Sequence, residues 1–167
     1  DDCIAIKSGR NNDGRLWSRP SENIIVRNCL MQNGHGGVVI GSEISGGYNN
    51  LFVENCKMDS PLLDRVIRIK TNTLRGGTIE NIFVRNVEVG ECKEAVLHIN
   101  LLYEPREIGE RGFIPTIRNI NLDNVTSQKS QYGVFVDGLP DQTTVFDINV
   151  SNSNFNGVKN GNRFTGL

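Results

Sequence analysis

The chain has 167 residues, a formal charge of −1, 37% hydrophobic and 22% charged residues, and 18 glycines. That length supports one domain with a substantial core, the charge argues against a nucleic-acid-binding surface though not a local basic cleft, and no apolar run is long enough for a membrane span. The opening residues show no signal-peptide pattern, and the four cysteines include no C-x-x-C pair of the kind that holds a metal.

The chain opens on Asp1-Asp2 and passes at once into Cys3-Ile4-Ala5-Ile6-Lys7-Ser8. This reads as a strand entered part-way through a coil, as if the sequence began inside a larger protein. Residues 8–21 hold Arg10, Asp13, Arg15, Trp17 and Arg19 in a stretch longer than a turn requires, predicted as a charged loop. Segment 23–29, Asn-Ile-Ile-Val-Arg-Asn-Cys, is the first copy of a pattern that returns at 50–56, 81–87, 119–125 and 147–153, at intervals of 27–38 residues. Each copy is a short alternating strand closed by a residue suited to a turn or a left-handed corner. A second strand follows each of the first four copies, at 37–42, 66–71, 95–101 and 133–138. Residues 104–115 form a second long loop, and the Asn- and Gly-rich tail beyond Asn154 is predicted irregular.

Repeated units of two or three short strands without helical periodicity predict a β-solenoid, because one coil cannot bury its own apolar side chains and a stack can. A β-sandwich would need antiparallel hairpins with two-residue turns, which this sequence lacks. The fold class is therefore all-β, a right-handed parallel β-helix of about five to six coils forming one domain over 1–167. Stacking should set the Asn and Cys positions in ladders inside, with Cys29 and Cys56 as small buried apolar residues rather than a disulfide.

Stacking also converts sequence into site geometry. In Val66-Ile67-Arg68-Ile69-Lys70 two cations alternate with isoleucines, so both leave one face of the sheet. Aligned second strands put Ala5, Val39, Arg68 and His98 in one column and Lys7, Gly41, Lys70 and Asn100 in the next. Asp1 and Asp2 then fall level with His35 and Gly36. Coils about 4.8 Å apart bring Asp1-Asp2, His35 and the Arg68/Lys70 pair within roughly 10 Å of one sheet face.

These residues resemble the pectin-degrading polygalacturonases of glycoside hydrolase family 28, whose motifs run Asn-Thr-Asp, Asp-Asp, Gly-His-Gly and Arg-Ile-Lys. The chain carries Asp1-Asp2, Gly34-His35-Gly36 and Arg68-Ile69-Lys70 in that order; Asn-Thr-Asp is absent. The flanks Lys7-Ser8-Gly9, Arg19-Pro20-Ser21 and the stretch from Gly41 to Gly47 are similar to the exo-acting branch, so the chain is expected to be the C-terminal part of such an enzyme. The resemblance implies inverting hydrolysis of α-1,4-linked galacturonic acid in a pectic polysaccharide or oligogalacturonate. It makes Asp1 the general acid and Asp2 one of the carboxylates that handle water. It gives His35 the task of orienting Asp1, and Arg68 and Lys70 that of gripping the uronate carboxylate. Tyr103 matches a cleft tyrosine that stacks on sugar; Lys7, His98 and Asn100 extend the expected binding set along the groove. The resemblance implies no metal, cofactor, nucleic acid or membrane partner, and a secreted or periplasmic location. The rival readings are a β-helix pectate lyase, which would want a carboxylate cluster for calcium, and a non-catalytic β-helix module or inactive fragment.

Overall fold

The computed structural model describes residues 1–166. It is a parallel β-solenoid of about five turns. Strands β1 (Ile4–Ile6), β4 (Val38–Gly41), β6 (Arg65–Lys70), β8 (Ala95–Asn100), β10 (Tyr132–Asp137) and β13 (Arg163–Thr165) stack in that order as one six-stranded sheet. Strands β2 (Ser21–Arg27), β5 (Tyr48–Met58), β7 (Thr78–Glu91), β9 (Thr116–Lys129) and β11 (Val145–Ser151) build the second, with the two-residue strands β3 (Leu30–Met31) and β12 (Asn154–Phe155) on β5 and β9. All pairings between these strands are parallel, and Ala5, Val39, Arg68 and His98 share one row of partners, as the sequence alignment predicts.

Period-two alternation puts Ile40, Ile67, Ile69 and Ile99 into the space between the sheets, all fully buried. The long strands of the second sheet bend at two lines of left-handed residues. Asn28, Asn55, Asn86, Asn124 and Asn152 have φ of 48–58°, and Asn23, Asn50, Asn81, Asn119 and Asp147 have φ of 53–61°. Such a conformation costs an ordinary residue about 1–2 kcal/mol, and Asn tolerates it best among residues with a side chain. Its amide recovers energy by bonding to the coil below, as in Asn86 Nδ2 to Asn55 Oδ1 (3.2 Å) and Asn124 Nδ2 to Asn86 Oδ1 (2.9 Å). These ladders run along the outer corners rather than inside, because a left-handed turn points the side chain away from the core. Cys56 is buried, Cys29 is half-buried beside it, and all four cysteines are free.

Two expectations change. Within 8–21 the chain forms a helix, α1 (Asn11–Trp17), without a side-chain N-cap. Arg15 ties it down by donating to the Leu74 carbonyl at 2.6 Å and stacking its guanidinium 3.4 Å from the Phe113 ring centre. The tail is not irregular: β12 and β13 add to the two sheets and start one further coil. No helix among the described residues is long and apolar enough to cross a membrane.

Candidate active site

The six-stranded sheet carries the site on its outer face. Gly34 holds φ at +136°, where a Cβ would strike the Asp1 carbonyl, and this lets the His35 N–H donate to that carbonyl at 3.2 Å. A side chain at Gly36 would press on Val39 and lie 3.5 Å from the Arg68 stem. The two glycines thus let the His35 turn settle directly on Asp1 and over Arg68.

The two acids face different surroundings. Asp1 is 94% exposed; its Oδ1 accepts the Asp2 N–H at 2.8 Å and lies 3.6 Å from His35 Nδ1, beyond hydrogen-bond range. Asp2 is 5% exposed and accepts from Lys70 Nζ at 2.9 Å, while its other oxygen is buried without a partner. Asp1, Asp2 and His35 each bring one ligand-type atom within 4.8 Å of the others. Two oxygens and one nitrogen fall short of the six to eight oxygens calcium takes, and the partnered Asp2 oxygen is already committed to Lys70.

The cations are covered rather than displayed as two free prongs. Arg68 is buried, and among the described residues its Nε has no partner and its only side-chain hydrogen bond is a long one of 3.5 Å from Nη1 to the His35 carbonyl. Burial, followed by the Arg65 charge, pushes its pKa down. The Tyr103 ring sits over both cations, with its centre 5.5 Å from the Arg68 guanidinium carbon and 5.3 Å from Lys70 Nζ. Asn72, itself buried, fixes that loop by donating from Nδ2 to the Tyr103 carbonyl at 2.8 Å. Beneath Tyr103 opens a cleft of about 270 Å³ bordered by Asp1, Asp2, Lys7 and Lys70. Lys7 reaches Glu43 at 3.5 Å and the Gly41 carbonyl at 3.4 Å.

His98 and Asn100 keep the expected rows but do not border this cleft. His98 is 2% exposed, with its ring stacked 4.5 Å from Phe135. Its Nδ1 accepts from Arg65 Nε at 2.7 Å, and its Nε2 faces Asp137 at 3.4 Å. Burial, then the Arg65 charge, pushes its pKa down to about 4. Asn100 turns its Oδ1 back to the Leu102 N–H at 2.8 Å, closing the strand. Neighbouring strands supply the groups that cover His98, so its own segment gives no sign of them.

Both long loops expected from the sequence to border the groove do reach the cleft, through Arg10 and Glu104, and Glu43 and Arg75, which the sequence did not single out, complete that wall. Arg75 is 1% exposed and grips Glu107 with both terminal nitrogens, at 2.9 and 2.7 Å. The legible cue was charge: three arginines in 8–21 against Glu104, Glu107 and Glu110 in 104–115.

Solenoid and site together define a protein whose cleft is bordered by the Asp1–Asp2 pair, Lys70 and Tyr103, with His35 beside Asp1 and Arg68 beside His35 just outside that lining. The family model of the glycosyl hydrolases family 28 matches residues 1–137, and the chain belongs to this family. It is 27% identical over 148 residues to a probable polygalacturonase of Vitis vinifera and 24% identical over 150 residues to an exo-poly-alpha-D-galacturonosidase of Dickeya chrysanthemi, each match covering 84% of this chain. These matches cover 28% and 24% of the relatives, so the chain spans about a quarter of their length. The crystal structure of a hyperthermoactive exopolygalacturonase from Thermotoga maritima superposes with a TM-score of 0.87 and 38% identity, covering 95% of this chain and 35% of that one.

Proposed function

We propose that this chain carries the acid–base and uronate-binding face of a hydrolase that cleaves α-1,4-linked galacturonic acid in pectic polysaccharide, from a chain end and with inversion. The observation that supports it best is Arg68. A buried guanidinium with no carboxylate partner among the described residues, on a protein of net charge −1, suits a planar carboxylate brought by a ligand. Names of relatives and of the superposed structure support galacturonan as the polymer and exo action as the mode.

In this reading Asp1, open to solvent, protonates the leaving oxygen, and His35 beside it steadies that carboxyl. Asp2, held by Lys70 at 2.9 Å, helps to deprotonate the attacking water. Arg68 binds the uronate carboxylate, Lys70 adds charge from the side, and Tyr103 offers its ring to the sugar. Lys7 lines the far edge. Asp1 and Asp2 approach within 4.8 Å, less than the roughly 6.5–9.5 Å that inverting enzymes keep for water. Inversion therefore calls for a third carboxylate, and the family's Asn-Thr-Asp motif has no match in these 167 residues. A polymer too large to cross a membrane calls for an enzyme outside the cytoplasm.

The test is to incubate the full-length gene product with trigalacturonate and follow free galacturonic acid together with unsaturated products. Galacturonic acid without unsaturated products is the expected result. Unsaturated products would make the protein a lyase, and neither product would leave a binding or structural module.

A further inference from the structure

The wall opposite the acid pair is built from three separate stretches. Arg10 and Asn11 stand at the start of α1, Arg75 ends the turn after β6, and Glu104 and Glu107 lie in the loop that also carries Tyr103. Arg75 joins all three: besides its double contact with Glu107, it donates to Asn11 Oδ1 at 2.6 Å and lies 3.5 Å from Glu104. Arg10 closes the outside of the joint at 2.7 Å from Glu107 and 3.7 Å from Glu43. The Glu107 carboxyl is held down at about 2, first by its hydrogen bonds from Arg75, so it stays charged across any working pH. Breaking a buried ion pair leaves an uncompensated charge, which makes the joint stiff.

The same wall is balanced in charge. Lys7, Arg10 and Arg75 meet Glu43, Glu104 and Glu107, and each cation is already within 4.0 Å of a carboxylate. A uronate chain running past the Arg68 position would find no spare cation there, and Glu43 and Glu104 would face its next carboxylate. Such a repulsive element is how a site rejects a competing ligand.

We propose that the Arg75–Glu107 pair is a specificity-determining clasp: it locks α1 to the Tyr103 loop as one charge-balanced wall, and that wall limits the cleft to a chain end. The inference rests on the hydrolase reading above. Arg75 and Glu107 are positioning residues, acting through the wall they hold.

Glu107→Gln in the full-length gene product tests it with two readouts. Tryptic cleavage after Arg106 and Arg111, which lie exposed in the same loop, reads the clasp without reference to activity. It should accelerate several-fold. Polygalacturonate viscosity, plotted against reducing ends released, reads the mode of attack. For the variant it should fall several-fold faster per bond cleaved, with di- and trigalacturonate appearing beside the monomer, and Glu107→Asp should restore part of the wild-type profile. Unchanged proteolysis would overturn the clasp; faster proteolysis with monomer as the sole product would overturn its control of chain-end action. Should Glu107→Gln fail to fold, Arg10→Gln, at an exposed residue, removes the outer half of the clasp and must shift both readouts in the same direction. A wild-type protein that releases no galacturonic acid overturns the hydrolase reading and the specificity claim together, while proteolysis still reports on the clasp.

Discussion

Lys70 Nζ and Asp2 Oδ2 meet at 2.9 Å with side chains only 8% and 5% exposed, across 68 residues of sequence. Among the described residues the second Asp2 oxygen has no hydrogen-bond partner, so Lys70 is the one cation in direct contact with that buried carboxylate. Lys70→Met should cost about 3–5 kcal/mol of stability, besides any loss of substrate affinity. Denaturant unfolding followed by circular dichroism measures it. A wild-type midpoint would mean that Asp2 is compensated by another group.

Asp1 is the opposite case. Among the described residues its carboxylate accepts one hydrogen bond, from the next residue, and holds no buried ion pair, so Asp1→Asn should leave stability within about 0.5 kcal/mol. Loss of a general acid should lower turnover of trigalacturonate by about 10²–10⁴-fold. Thermal melts and initial rates on the same sample separate the two effects, and near-normal turnover would remove Asp1 from the chemistry.

Arg68 sets binding against stability. A buried guanidinium with an orphan Nε is a standing cost to the folded state, so Arg68→Met should leave the protein as stable as wild type or more so, by about 1 kcal/mol. The same change should raise KM for uronate oligomers at least about tenfold, the loss of one charge-assisted carboxylate contact. A destabilised Arg68→Met with unchanged KM would assign the residue to the scaffold.

His98 gives a pH signature. Burial first, and then Arg65, hold its pKa at about 4, below the unfolded value, so the unfolded chain binds more protons between pH 6.5 and 4. Stability contributed by neutral His98 is complete above pH 6.5 and is lost as pH falls towards 4, by an amount on the order of 1–3 kcal/mol. His98→Gln should flatten the melting temperature across that window. A wild-type profile already flat there would show that His98 charges inside the fold.

The row Ala5–Val39–Arg68–His98 was legible because alternation fixes a face and a repeat fixes a row, and both survive any loop length. The left-handed Asn corners were legible for the same local reason. Helix α1 was hidden because seven residues with Gly14 in the middle carry too little period, and long-range contacts from Arg15 to Leu74 and Phe113 hold it. Strand β13 was hidden because an end strand leaves Phe164 half exposed and shows little alternation in burial. The site divided in the same way: Asp1, Asp2, His35, Arg68 and Lys70 stand on or beside stacked strands, whereas the Arg75–Glu107 contact joins two irregular stretches that no repeat relates.

All three stretches that build the wall leave the stack at the same junction, where a strand of the six-stranded sheet hands over to the next strand of the second sheet: α1 between β1 and β2, the Arg75 turn between β6 and β7, and residues 101–115 between β8 and β9, the first and last being the long insertions. Pairing above and below continues undisturbed around them. The solenoid therefore works as a keyboard, with reactive groups at fixed pitch on one face and a single seam where length can be added or removed. Ligand range can diverge between relatives at that seam while the spacing of Asp1, His35 and Arg68 stays constant, and transplanting the two insertions as a pair is the natural route to exchanging it.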